Sequence, residues 1–260
     1  MQDLKVGIVQ THQYWEDKQS NFDHFGRILL KHFSSKKVDL ILLPEMFNTG
    51  FSMNPGALAE NMQGESVDWL VGQASKYNCE VAATLIIREN DAFFNRQVVA
   101  SGQGILSHYD KRHLFRMAGE NGHYTAGDRR VVHRIKGWNI LLQTCYDLRF
   151  PVFSRNHFTN GQLEYDCAIY LANWPEKRAY AWRNLLQARA TENQSYCIGV
   201  NRTGSDGTDL AYAGDSMAIN PWGIIEVDCA NRAELVKICT LKHKTLVESR
   251  EKFPAFLDAD

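Results

Sequence analysis

The 260-residue chain is predicted to be an α/β protein, a layered sheet sandwich with helices on the outside. Three observations predict it. Short apolar runs of strand length alternate with amphipathic helical segments from the first residues onward. Hairpin-like strand pairs interrupt that alternation, so parallel and antiparallel neighbours are expected together. No Pro/Gly/Ser-rich linker or low-complexity block divides the chain, which reads as one domain over 1–260.

The first strand is Leu4–Gln10. Lys18–His32 follows as an amphipathic helix with Phe22, Phe25, Ile28 and Leu29 on one face. Val38–Leu43 is a strand, and Ser66–Tyr77 a helix with Ser66 as its N-cap. Its Val67, Leu70, Val71 and Ala74 should face inward. Glu80–Ile87 is the next strand, followed by a hairpin of Phe93–Ser101 and Gly104–Tyr109 around Gly102. Trp138–Thr144 is a buried strand that runs into a helix through Cys145. Then come the strand Asp166–Leu171, the helix Arg178–Asn193, the strand Tyr196–Asn201 and a loop rich in Gly and Asp, Thr203–Gly207. Ser216–Asn220, Gly223–Asp228 and Ala233–Thr240 read as a closing antiparallel meander, and Leu241–Asp260 as a charged helix and tail.

Composition narrows the function. A formal net charge of −1 gives no electrostatic footprint for nucleic acid or an anionic membrane, and Asp128-Arg129-Arg130 is too short and mixed to change that. Six dispersed cysteines, several inside strand-like runs, fit reduced thiols in a cytoplasmic protein rather than a disulfide framework. The nine histidines form no HxxxH or HExxH set and there is no CxxC pair, so no metal is expected. The chain opens directly on a strand, without the basic and apolar segments of a signal peptide, and no apolar run reaches membrane-spanning length.

Three residues point to chemistry. Pro151 suits the first turn of a helix, which places Cys145 at a strand-to-helix turn where converging N–H groups favour a thiolate. A free cysteine is also commonly a buried core residue, so Cys145 alone leaves both readings open. Glu45 ends the apolar run Val38–Leu43, where a carboxylate is costly unless paired or used. Lys111 directly follows the strand ending at Tyr109. A base, a cation and a thiol at one edge of a sheet suit acyl transfer. Glu45 and Lys111 could instead be an ordinary buried ion pair.

Taken together, Leu43-Pro44-Glu45, Tyr109–Phe115 and Cys145–Pro151 resemble the nitrilase superfamily of carbon–nitrogen hydrolases. Leu171–Pro175, Arg189–Asn193 and Gly214–Ser216 extend the resemblance over nearly the full chain. It implies a four-layer α-β-β-α sandwich, a homodimer, a small-molecule amide substrate and no cofactor. Pro44–Asn48 and Phe115–Met117 look most like the omega-amidase branch, which hydrolyses the side-chain amide of 2-oxoglutaramate or 2-oxosuccinamate. The segment Ala118–Tyr124 departs from the common pattern, lacking its Pro-Gly, and Glu120 is the match to the family's second glutamate. His123 in that loop reads as a solvated side chain.

The resemblance implies that Glu45 is the general base, Cys145 the nucleophile, and Lys111 with the backbone N–H of Tyr146 the oxyanion donors. Glu120 would orient Lys111. For substrate binding, Phe47, Phe115, Tyr146 and Trp174 are candidate apolar walls, and Asn173 should border the pocket. Arg116, Arg149 and Arg202 are candidates to anchor a carboxylate, with Arg202 favoured and Arg149 open to a structural pairing with Asp147. The competing readings are another nitrilase branch acting on nitriles or N-carbamoyl amines, a papain-like hydrolase, and a binding module that kept the fold.

Overall fold

A computed structural model describes residues 1–258 as two six-stranded sheets packed face to face, each covered by helices on its outer face. In the first sheet the spatial order is Leu235–Leu241, Leu4–Gln10, Leu40–Leu42, Glu80–Glu89, Ala92–Ser101 and Gly104–Asp110. In the second it is Ile225–Asp228, Met217–Ile219, Tyr196–Asn201, Cys167–Ala172, Trp138–Thr144 and Val132–Ile135. Each sheet has three parallel strands at its centre and antiparallel strands on both sides.

The period-two alternation of strand side chains makes the layers. Leu40 and Leu42 point into the space between the sheets, where they meet Ile140, Leu142, Ile169 and Val200. Their neighbours Ile41 and Leu43 point outward, onto Phe25, Leu29, Leu70 and Ala74 of the helices Lys18–Phe33 and Glu65–Tyr77. Leu141, Ala168 and Cys197 likewise face Trp182, Leu186 and Ala190 of the helix Ala179–Glu192. A Cβ at Gly199 would lie 2.4 Å from a Leu186 methyl and 2.6 Å from the Trp182 ring, so only glycine admits that helix so closely. The expected four-layer α-β-β-α sandwich is therefore present.

The local structure differs from the expected one in several places. Gly64 is the N-cap of Glu65–Tyr77, and Ser66 lies inside the first turn with its N–H and hydroxyl both donating to the Glu60 carboxylate. The helix expected from Arg178 starts at Ala179, after a single 3₁₀ turn over Glu176–Arg178. Thr203–Ser205 is not loop but half of a small hairpin with Ala211–Ala213. The closing meander is divided: Met217–Ile219 and Ile225–Asp228 pair in the second sheet, whereas Leu235–Leu241 crosses to the first and pairs antiparallel with Leu4–Gln10. That crossing covers an otherwise open edge of an apolar strand. The charged segment after it forms the helix His243–Lys252 and a 3₁₀ turn to Asp258; Ala259 and Asp260 lie outside the described residues.

Candidate active site

The candidate catalytic residues come from both sheets, not from one sheet edge as the sequence suggested. Glu45 follows Leu40–Leu42, and Lys111 directly follows Gly104–Asp110 in the same sheet. Cys145 and Asn173 follow Trp138–Thr144 and Cys167–Ala172, two neighbouring parallel strands of the facing sheet. All four residues leave the carboxyl ends of their strands and meet where the two sheets open.

Short backbone devices hold each one. The N–H of Met46 donates to Thr84 Oγ1 at 2.7 Å, and Gln13 Nε2 donates to the Glu45 carbonyl at 3.0 Å, fixing the turn that carries Glu45. Cys145 sits in the left-handed region at φ 44°, an uncommon conformation for a residue with a Cβ. A capping box offsets that strain, with Asp147 Oδ2 accepting from Thr144 N–H at 2.9 Å. The same buried carboxylate accepts from Tyr109 Oη at 2.7 Å and from the His113 N–H at 3.0 Å. Asp147 thus ties the turn holding Cys145 to the segment holding Lys111, and it does not pair with Arg149.

At the centre lies a fully buried set of charges. Lys111 Nζ donates to Glu45 Oε1 at 2.9 Å and to both Glu120 oxygens at 3.0 and 2.9 Å. Asn95 Nδ2 bridges the two carboxylates, at 2.7 Å from Glu45 and 3.1 Å from Glu120. The Asn173 N–H holds Glu45 Oε2 at 2.8 Å, and the Phe115 N–H holds Glu120 Oε2 at 2.6 Å. Burial works against the charge on Lys111, but the Glu120 and Glu45 carboxylates outweigh it and raise its pKa above the ordinary lysine value. Burial raises the Glu120 carboxyl despite the opposing pull of Lys111. The Cys145 thiol is pushed well above its usual range, by burial first and then by the Glu45 carboxylate. The expected resting thiolate is therefore corrected. The helix beyond Cys145 is only the four residues Pro151–Ser154 after a 3₁₀ turn, too little dipole to offset desolvation.

Above Cys145 opens a cavity of about 350 Å³. Phe51, Phe115, Tyr146, Trp174, Tyr212 and Trp15 supply its rings, and Asn173, Arg149 and Arg178 its polar wall. Phe115, Tyr146, Arg149, Asn173 and Trp174 therefore lie where the sequence reading put them. Phe47 does not: it is wholly buried among Phe22, Phe25 and Trp69, because the chain turns after Glu45 and aims this ring, two residues on, into the helix-facing core. Arg116 lines a separate groove with Arg112 and Asn121. Arg202 is fully buried beneath the hairpin; it donates to the carbonyls of Thr203, Gln13 and Ser205 and lies 4.7 Å from the Tyr212 ring centre. Burial lowers its pKa to about 10. It supports the wall behind Tyr212 rather than reaching the pocket rim. His123 is exposed, as expected.

Sequence reasoning missed Asn95, Phe51 and Arg178. Asn95 opens the polar run Asn95-Arg96-Gln97, which is buried within the antiparallel strand Ala92–Ser101, where a buried amide needs partners. That was the available signal. Phe51, whose ring centre lies 5.0 Å from Lys111 Nζ, comes from an irregular loop with no periodicity to read. Arg178 reads from the sequence only as the first residue of a helix, which says nothing of where its side chain goes.

A mixed sandwich with a thiol, a buried lysine and two carboxylates at its mouth defines a class, hydrolases that work through an acyl-cysteine. The chain belongs to the carbon–nitrogen hydrolase family, whose model matches residues 5–251, and it is accordingly an enzyme, an amidase acting on carbon–nitrogen bonds. The omega-amidase YafV of Escherichia coli K12 is 43% identical over 261 residues, covering 100% of this chain and 98% of that protein. A 2-oxoglutaramate amidase of Bacillus subtilis is 33% identical over 227 residues, 86% of each chain. The crystal structure of XC1258 from Xanthomonas campestris, a CN-hydrolase superfamily protein with an arsenic adduct in its active site, superposes with a TM-score of 0.96 at 43% identity, covering 100% of this chain and 98% of that one.

Proposed function

We propose that this protein is an omega-amidase, hydrolysing the terminal amide of a short 2-oxo dicarboxylic acid monoamide such as 2-oxoglutaramate or 2-oxosuccinamate. The observation that carries the reading is the buried Glu45–Lys111–Glu120 set beside Cys145 at the base of a small aromatic cavity. Relatives named omega-amidase and 2-oxoglutaramate amidase, matched over most or all of the chain, supply the substrate class.

In the proposed cycle Glu45 takes the Cys145 proton as Sγ attacks the amide carbonyl carbon. A thiol that stays protonated at rest fits a base that acts only as substrate arrives. Lys111 Nζ and the Tyr146 N–H stabilise the oxyanion. As the tetrahedral adduct collapses, Glu45 returns the proton to the departing nitrogen and ammonia leaves, with a thioester on Cys145. Water then attacks that thioester while Glu45 takes its proton, and the carboxylic acid and free thiol are regenerated. Glu120 and Asn95 hold Lys111 and Glu45 in register and take no part in the transfers.

The reading extends to a single hydrolase domain over 1–260 working as a homodimer in the cytoplasm. The proposed contact uses the helices after Cys145 and at Ala179–Glu192, and the 85% exposure of Val152 and Tyr180 on them supports that reading. The six free cysteines fit a reducing compartment, and no helix among the described residues is long and apolar enough to cross a membrane. Ammonia release from 2-oxoglutaramate, glutamine, asparagine, an N-carbamoyl amino acid and a simple nitrile tests the substrate class. Preference for the nitrile or the carbamoyl compound would overturn it. Sedimentation as a stable monomer at micromolar concentration would overturn the dimer.

A further inference from the structure

The wall of the cavity above Cys145 is built from both sheets. The second sheet supplies the turns bearing Cys145, Asn173 and Trp174, whereas Trp15, Phe51 and Met53 come from the segments that follow Leu4–Gln10 and Leu40–Leu42 of the first. Trp15 stands out because two other segments come close enough to it to exclude a Cβ or crowd one. A Cβ on Gly207, in the hairpin loop between Asp206 and Thr208, would lie 2.6 Å from Cγ of the indole and closer still to Cδ1 and Nε1. A Cβ on Gly50, the residue before Phe51, would lie 3.1 Å from Cε3 of the same ring. Gly50 has φ 75°, which calls for glycine in any case. Gly207 has no such backbone requirement, so the closeness of the indole is what excludes a side chain there. The ring is wedged between the loop bearing Phe51 and the hairpin bearing Leu210, and it fills the join between these two parts of the wall. Its backbone is fixed on either side. Arg202 Nη2 donates to the Gln13 carbonyl at 3.1 Å, and the Glu16 N–H donates to the Thr49 carbonyl at 2.8 Å. The Asn21 amide pairs with both the N–H and the carbonyl of Tyr14, at 2.8 and 2.7 Å.

We propose that Trp15 is the specificity-determining residue for acyl-chain length, its indole setting how far a substrate extends from the carbonyl held at Cys145. This deepens the omega-amidase reading but requires only amide hydrolysis at Cys145. Much of the cavity wall is aromatic or aliphatic, Phe51, Met53 and Leu210 among it, so it offers apolar contact to any methylene that fits. Contact alone would therefore favour longer chains, since each buried methylene is worth about fourfold in binding. Restriction to a short chain has to come from volume, and the indole is the large group that closes the gap between two lining segments. Held by its two neighbours and by a pinned backbone, it is a fixed wall and does not swing aside.

The test reads kcat/KM ratios on one protein preparation, so any loss of folded enzyme cancels. Ammonia release from butyramide, hexanamide and octanamide is measured for wild type, Trp15→Phe and Trp15→Ala. Trp15→Ala should raise the ratio of hexanamide to butyramide by about tenfold, two methylenes at about fourfold each, and that of octanamide by more. Trp15→Phe, which keeps a smaller ring, should fall between wild type and Trp15→Ala. A tryptophan that only supports the fold would lower all three amides together. Ratios within about twofold of wild type in both variants would therefore overturn the assignment. A second arm needs no turnover. Calorimetry of butyrate and hexanoate on Cys145→Ala, with and without Trp15→Ala, should show hexanoate gaining about tenfold over butyrate when the indole is removed. An equal change for the two acids would overturn the assignment. Assayed alongside, 2-oxoglutaramate and its one-carbon-longer homologue 2-oxoadipamate should shift in the same direction. A wild type that hydrolyses butyramide but not 2-oxoglutaramate overturns the omega-amidase reading instead and leaves the length assignment standing.

Discussion

Lys111→Met removes one charge from a site that otherwise holds two buried carboxylates, and its consequence for both stability and catalysis follows from that count. Lys111 and both glutamates are fully buried at the side chain, so in the variant Glu45 and Glu120 face each other with only Asn95 between them. Removing one partner of a buried ion pair costs about 3–5 kcal/mol. For a chain of this size each kcal/mol moves Tm by roughly 2–4 °C, giving a drop of about 6–20 °C. The deficit should depend on pH with a defined sign. Glu120 is already raised with Lys111 present. A carboxyl whose folded pKa exceeds its unfolded value is neutral in its effect below about pH 4 and destabilises increasingly as pH climbs toward the folded value. Loss of Lys111 raises it further, so the gap between wild type and variant should widen from about pH 5 to pH 8. Thermal unfolding followed by circular dichroism at both pH values reads the gap. Turnover in the folded variant should fall by about 10²–10³ in kcat through the missing oxyanion donor. An unchanged Tm at pH 8, or a change confined to KM, would refute the reasoning.

Three further outcomes are expected. Cys145→Ala should stay folded and lose turnover, and the thiolate absorbance in the difference between wild type and this variant should appear only above pH 9, since burial and Glu45 raise the thiol; a full signal at pH 7 would contradict that. Asp147→Ala leaves the Thr144 N–H, the Tyr109 hydroxyl and the His113 N–H without their shared acceptor. It should cost about 1–3 kcal/mol for each group left unpaired and lower kcat by loosening Cys145 against Lys111, and urea unfolding with wild-type midpoint would count against the tie. Arg202→Met should weaken 2-oxoglutaramate and butyramide alike, because Arg202 braces Tyr212 rather than touching substrate; a selective loss of the acid amide would restore it as an anchor.

The legible part of this molecule was whatever repeats along the chain. Most central strands came out within a residue or two because burial on both faces leaves a continuous apolar run, as in Leu40 to Leu43 and Ile140 to Leu142, whereas the half-polar edge strand Val132–Ile135 went unread. Glu45, Lys111 and Cys145 stood out for the opposite reason, as polar residues at the ends of apolar runs. What could not be read was the pairing between distant segments. Nothing local to Leu235–Leu241 says that it joins Leu4–Gln10 rather than its hairpin neighbour. Nor does the sequence reveal that Glu45 and Cys145 hang from different sheets. Arg149 was legible but Arg202 and Arg178 were not, because exposure of a long side chain depends on what covers it. Arg202 was buried by a hairpin that reads as loop, and Arg178 was freed by a helix that starts one residue late.

Because Glu45 and Lys111 belong to one sheet and Cys145 and Asn173 to the other, the reacting atoms are assembled across the seam of the sandwich. At the site, the bonds that span it include Asn173 N–H to Glu45 Oε2 and Tyr109 to Asp147. A slip of one sheet past the other by a single residue, about 3.3 Å, would exceed every hydrogen bond in the site. Ammonia release therefore serves as a ruler laid across the two sheets. During refolding it should return only when they have docked in register, after the secondary structure of each has already formed.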